Sequence, residues 1–193
     1  MAVTVANLIQ GPGILYKGTA YTGSYVTTAE PADSAVNTTP QSSAWTDVGG
    51  TSDGVNIEIG REYAELAVDQ VVDIPDRRLT KREFSLATNL AEATIENLAL
   101  VSNNDSAVAS ASGVKTYEPL NTAAVIQPTY IPLLFDGYAP SAFRRRIIGR
   151  RMLSVDPITF AYKKDGQTVW SVKWAGHYVS SSIAPYKVVD QTS

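Results

Sequence analysis

The chain has 193 residues and a formal net charge of -3, with 16 Lys and Arg against 19 Asp and Glu. That balance does not supply the strongly basic field on which nucleic-acid binders rely. Cysteine is absent, which excludes disulfides, zinc ribbons and thiol catalysis.

The opening MAVTVANLIQGPG has no basic region, and Thr, Asn and Gln interrupt its apolar run. It reads as no signal peptide, and no stretch approaches the roughly 20 apolar residues of a bilayer span, so no membrane insertion is expected. Residues 1–21 predict a short strand, a turn at Gly11-Pro12-Gly13 and a second strand around Ile14 to Tyr16. Thr22 to Ala44 is rich in Thr, Ser, Ala and Pro, with almost no large apolar residue. Such a segment buries too little surface to offset its ordering entropy. It is either a disordered surface loop or an arm that orders against a neighbouring subunit.

Residues 45–177 read as a β core. Val55, Ile57, Ile59 and Tyr63 alternate with Asn56, Glu58, Gly60 and Glu62, the period of a half-buried strand. A second strand is predicted from Leu66 to Ile74, a break at Pro75-Asp76, and a third strand from Thr80 to Thr88. Asn89 as N-cap with Glu92 three residues on predicts a helix over about 89–100. Leu90, Ala91, Thr94, Ile95 and Leu98 form its apolar stripe. Ser102 to Gly113 reads as a loop, followed by strands at Val114 to Tyr117, Ile131 to Phe135 and Phe143 to Val155. Asp165-Gly166 signals a hairpin joining Phe160 to Lys163 with Val169 to Trp174. On its last strand, Trp170, Val172 and Trp174 share a face. Residues 178–193 read as a C-terminal arm. The fold class is mainly β, one domain over 1–193, a β-sandwich or half-barrel with one flanking α-helix.

Three patterns bear on chemistry. Gly50-Thr-Ser-Asp-Gly54 matches a nucleophile elbow, with Asp69 or Asp73 and His177 downstream in triad order. An elbow runs from a strand into a helix, however, and Gly54 leads into a strand, so the motif reads as a Gly-rich turn. No catalytic residue is assigned. The acids Glu58, Glu62, Glu65, Asp69, Asp73 and Asp76 lack the spacing of a calcium loop and read as a solvated sheet face. No cofactor or metal is expected. Arg144, Arg145, Arg146, Arg150 and Arg151 form the one basic stretch. On a strand, Arg144, Arg146 and Arg150 point one way and Arg145 and Arg151 the other, a poor single phosphate surface. Charge pairing with the acidic strands, within the subunit or across a subunit boundary, is the expected use.

The whole-length order of elements resembles the major tail tube protein of long, non-contractile phage tails, as in phages of actinobacteria. The likeness rests on Trp45-Thr-Asp-Val-Gly49, Thr51-Ser-Asp-Gly-Val55, Val68-Asp-Gln-Val71, Arg77-Arg-Leu-Thr-Lys-Arg-Glu83, Asn89-Leu-Ala-Glu92 and Glu96-Asn-Leu98. Leu134-Phe-Asp-Gly137, Phe143-Arg-Arg-Arg146 and Tyr178-Val-Ser-Ser-Ser-Ile-Ala-Pro185 extend it. The resemblance implies a non-enzymatic virion protein, assembled in the host cytoplasm into hexameric rings that stack as a tube. Its implied partners are other copies of itself, a tape measure protein in the lumen, and tail terminator and tail tip proteins at the ends. Double-stranded DNA in transit is contacted without sequence-specific binding. In that frame Glu58, Glu62, Glu65 and Asp69 become lumen-facing candidates, where like charge keeps DNA from adhering. The five arginines become interface candidates, and 22–44 and the termini become inter-subunit arms. The alternatives from other classes are a contractile-tail or secretion-type tube, a capsid decoration protein, and a carbohydrate-binding or hydrolase β-sandwich.

Overall fold

The computed structural model of the chain describes residues 5–21, 23–103, 108–118 and 128–192. Its strands are β1 (Ile14–Gly18), β2 (Trp45–Asp47), β3 (Thr51–Leu66), β4 (Asp76–Leu90), β5 (Val108–Ala111), β6 (Val114–Tyr117), β7 (Ile131–Tyr138), β8 (Arg144–Ser154), β9 (Trp170–Gly176) and β10 (Tyr186–Asp190). The α-helix α1 is Ile95–Val101. The protein is mainly β, with a large antiparallel sheet in the order β2-β1-β7-β8-β9-β4-β3 and β10 added on β8. This architecture is consistent with a β-sandwich. β5 and β6 pair as a separate hairpin.

β8 is where the sheet branches. Its first half lies between β7 and β10, and its end pairs with β9. Ile131 and Leu133 of β7 face Met152 and Gly149, so β8 carries one extra residue there. Such a bulge bends a strand and increases its twist. The two wings consequently meet over one core, with Leu15, Leu133 and Met152 from one and Phe84, Leu86, Val172 and Trp174 from the other. Leu100 and Val101 of α1 join the same core, and Phe84 stacks on Tyr186 with ring centroids 4.7 Å apart. Each large apolar side chain wholly buried this way contributes about 1.5–3 kcal/mol. A second, smaller cluster of Tyr16, Trp45, Leu134 and Ile148 lies apart from it.

Several predicted elements are corrected. Leu66 to Ile74 is not a strand: β3 runs on through Ala64 and Glu65 to Leu66, and residues 67–75 form the connecting loop. The apolar residues there lack period 2 and every one is exposed, so no packed face holds them extended. The helix starts later than predicted. Asn89 and Leu90 end β4, where Asn89 bonds Asp53 and accepts from Ser171 at 2.6 Å and Leu90 is buried. Thr94 is the actual N-cap, accepting from the Asn97 amide at 3.2 Å. Glu92 reaches instead to the Gly50 amide at 3.0 Å. Near the N-terminus, Val5–Asn7 is a single 3-10 turn in place of the first predicted strand, and residues 1–4 lie outside the described residues.

Phe160 to Lys163 forms no strand either. Only a Lys163–Gly166 bridge marks the Asp-Gly turn, and β9 pairs with β4 and β8 instead. β5 falls in the stretch read as the loop 102–113. The C-terminal arm contributes β10 to its own chain's sheet.

The Gly49-Gly50 turn is the joint between β2, β3 and α1. Gly49 adopts φ +88, and a Cβ there would lie 2.4 Å from the Glu92 carboxylate. Gly49→Ala is therefore expected to cost about 1–2 kcal/mol from the left-handed backbone alone. An unchanged melting temperature would contradict this account of the joint.

Candidate functional site: an arginine strand and an unsupported hairpin

The five arginines are placed by the alternation of β8. Arg150 donates to both oxygens of Glu30 at 2.6 and 3.2 Å and to the Ala184 carbonyl at 2.9 Å. The two side chains are only 10% and 6% exposed. Arg146, also buried, donates to the carbonyls of Ala35 and Thr38 at 3.2 and 2.7 Å and to Asp136 at 3.1 Å. Arg144 lies 3.5 Å from the other oxygen of Asp136 and stacks over Tyr138. Arg145 forks onto Asp190 with two contacts of 2.6 Å. Arg151 donates to the Tyr178 carbonyl and lies 4.0 Å from the Tyr130 ring centre. Among the described residues, Arg144, Arg145, Arg146 and Arg150 pair within the subunit with Asp136, Asp190 and Glu30, not with the acids of β3 and β4, and Arg151 meets a carbonyl and a ring instead of an acid.

Residues 23–44 are drawn down by this arrangement. Besides the contacts of Arg146 and Arg150, Trp45 donates its indole N–H to the Ala29 carbonyl at 2.9 Å. Tyr25 donates to Glu30 at 3.1 Å. Burial, reinforced by the Glu30 carboxylate, pushes the Tyr25 hydroxyl far above its ordinary range, so it stays a donor. The segment is a strap over β8 of its own chain, held by polar contacts where its composition offers few apolar ones.

Asp190 ties β10 to β8. Hydrogen bonds from Arg145 hold its carboxyl below the ordinary 3.8. A depressed folded-state pKa means stability that is present above the unfolded value and lost as pH falls through the folded one. The pair is about a third exposed, so the effect is modest. Protection of the β10 amides, taken relative to the intrinsic exchange rate, is expected to fall as pH drops below about 3.8, and Arg145→Ala to remove that pH dependence. The same pH profile in both proteins would count against the pair.

The lumen-facing candidates separate. Glu58 is on β3, 3.6 Å from Lys173 and within hydrogen-bond reach of Ser85. Glu62 pairs with Lys81, and Glu65 with Arg77. Asp69 is not on a strand at all but in the loop 67–75, since the strand predicted there is absent. Glu58 and Glu62 share a face by alternation, while Glu65, an odd number of residues further on, takes the other face; the extra residue at the nearby register shift, Thr80, lies in β4. Each of the three glutamates lies against a cation, so the face is mixed in charge, not uniformly acidic.

Ser52 lies at the row Ser52–Asn89–Ser171. His177 is six residues further along β9's line, roughly 20 Å at ~3.3 Å per residue. Asp69 and Asp73 are in the loop beyond the opposite end of β3. The triad geometry is thus not assembled. Near Ser52 a polar cleft of about 370 Å³ is lined by Asp53, Asn56, Asn89, Ser171 and Lys173. There Asn89 bonds both Asp53 and Ser171, which leaves those groups mutually satisfied. Among the described residues no group of three or more His, Asp or Glu side chains could hold a metal ion. No helix among them is long and apolar enough to cross a membrane.

The most unusual feature is the outer half of the β3–β4 hairpin. Every residue from Arg61 to Glu83 is exposed, including Tyr63, Leu66, Leu79 and a wholly exposed Val72. β9 pairs with β4 only from Ser85 to Leu90. Among the described residues nothing pairs with either hairpin edge beyond that row, and β3 has no strand on its outer edge along its full length. The chain matches no family model and no curated protein, so its geometry is the basis for a functional reading.

Proposed function

We propose that this chain is a structural subunit of the tail tube of a phage with a long, non-contractile tail, assembling with copies of itself into stacked hexameric rings. The observation that carries this reading is the hairpin exposed on both faces from Arg61 to Glu83. A two-stranded hairpin is at best marginally stable in water and needs a third strand or a packed layer. Folded proteins protect such open edges, and a closed ring of copies satisfies them head to tail. The sequence resemblance names the same architecture.

In this reading, the polar face of β3, β4 and β9, with Asn56, Glu58, Glu62, Ser85 and Lys173, lines the lumen. Its paired charges present little net field to passing DNA. Tape measure protein would fill that lumen before DNA does, with terminator and tip proteins capping the tube. Glu65 and Asp69 lie further out on the hairpin, where they meet neighbouring subunits. Electron microscopy and sedimentation of purified protein over rising concentration test the proposal. Rings or tubes are expected; a protein that stays monomeric throughout would overturn it.

A further inference from the structure

The hairpin carries two sets of charges that its own fold leaves unpaired. Arg61 lies directly opposite Arg82, an arrangement that destabilises a sheet when nothing neutralises it. By alternation they share the face of Ile59 and Phe84, the pair two rows back, and so stand just past the end of the core. Among the described residues neither side chain makes a hydrogen bond or ion pair. The nearby acids are engaged elsewhere: Glu62 and Glu83 both hold Lys81, and Glu65 holds Arg77. Beside Arg82, a groove of about 290 Å³ follows the open edge of β4, walled by Leu79, Phe84, His177, Tyr178 and Pro185.

The loop 67–75, Ala-Val-Asp-Gln-Val-Val-Asp-Ile-Pro, has the complementary character. It contains no basic residue, Asp69 and Asp73 have no partner among the described residues, and Val72 projects wholly into solvent. It lies too far from the Arg61–Arg82 row of its own stem to reach it. The Arg61–Arg82 row is five residues from the Leu66–Asp76 row, about 17 Å at ~3.3 Å per residue.

We infer that the hairpin loop of one copy docks on the hairpin stem of another, with Asp69 and Asp73 on Arg61 and Arg82 and Val72 in the groove beside Tyr178. This contact rests on the self-assembly reading above and specifies its chemistry. A second copy fits better than a nucleic-acid phosphate, because the groove combines its arginine with apolar walls and an open strand edge. A loop-to-stem contact uses two different surfaces, so it propagates from copy to copy.

Four proteins test the contact: the wild type, Arg61→Glu/Arg82→Glu, Asp69→Arg/Asp73→Arg, and the chain carrying all four reversals. All four positions are exposed, and circular dichroism verifies that each variant folds. Each double reversal is expected to raise the concentration needed for assembly by about tenfold or more, as like charges meet. The fourfold reversal restores opposite signs and is expected to assemble near the wild-type concentration. Double variants that assemble as the wild type does, or a fourfold variant no better than they are, would overturn this contact and leave the assembly reading standing. A wild type that never assembles would sink the assembly reading itself, and this contact with it.

Discussion

Glu30→Ala is expected to be among the most damaging single substitutions in the chain, although Glu30 lies in the segment least suited by composition to fold. Among the described residues its carboxylate is the only ion-pair partner of Arg150, and both side chains are nearly buried. Removing one member of a buried pair leaves the other charged and desolvated, at a cost of about 3–5 kcal/mol. For a domain of this length that lowers the melting temperature by on the order of 10 °C. Tyr25 loses its acceptor as well, so residues 23–44 should become sensitive to limited proteolysis while the sheet remains. Combining Glu30→Ala with Arg150→Met should recover part of the loss, because it replaces a stranded charge with an apolar side chain. Calorimetry on both variants decides the matter. A double variant no better than the single one would show that the strap's contribution does not run through this pair.

The same pair changes what a deletion in the strap would do. If residues 22–44 served only as an inter-subunit arm, 28–39 would be removable without loss of the fold. In the structure their removal takes away Glu30 and the carbonyls of Ala35 and Thr38, which leaves Arg150 without its carboxylate and Arg146 with Asp136 alone. The sequence showed five arginines alternating on a strand, and that alternation does divide them between Asp136 with the strap and the Asp190–Tyr178 side. Their partners were less legible. Asp136 could have been found by reading β7 and β8 as a hairpin closing at Tyr138–Arg144, which puts Asp136 opposite Arg146. Glu30 is 120 residues from Arg150, a separation for which local pattern offers no signal.

Strands with clean period 2 were legible in sequence, as at Val55 to Ile59 and Trp170 to Trp174, because one face is fixed by the core. The errors share a cause: a local signal yielded to a tertiary contact. Asn89 and Glu92 have the spacing of a capping box, yet Asn89 serves cross-strand bonds and Glu92 anchors the Gly50 turn. Asp165-Gly166 does mark a turn, but β9 found better partners in β4 and β8. Between Leu66 and Ile74 the β-branched residues suggested a strand, and the chain instead leaves them uncovered at the hairpin end. Under the proposed assembly, a neighbouring copy supplies the layer that these apolar residues lack within their own chain.

Replacing residues 61–82 with Asn-Gly should separate folding from assembly. Gly60 and Glu83 face each other across the hairpin, and Asn-Gly favours the tight turn that joins two antiparallel strands. Every side chain removed is exposed, and the core residues Phe84, Leu86 and Leu90 remain. The shortened protein should therefore melt close to the wild type, with a shorter loop to close. Its assembly should be lost at all concentrations where the wild type forms rings or tubes, because both the loop and its receiving stem are gone. Sedimentation velocity at matched concentrations reads both outcomes, with thermal melting as the control for folding. Tubes that form normally from the shortened chain would assign assembly to the remaining edge of β3 alone. A shortened chain that fails to fold would show that the hairpin stabilises the subunit before any neighbour reaches it.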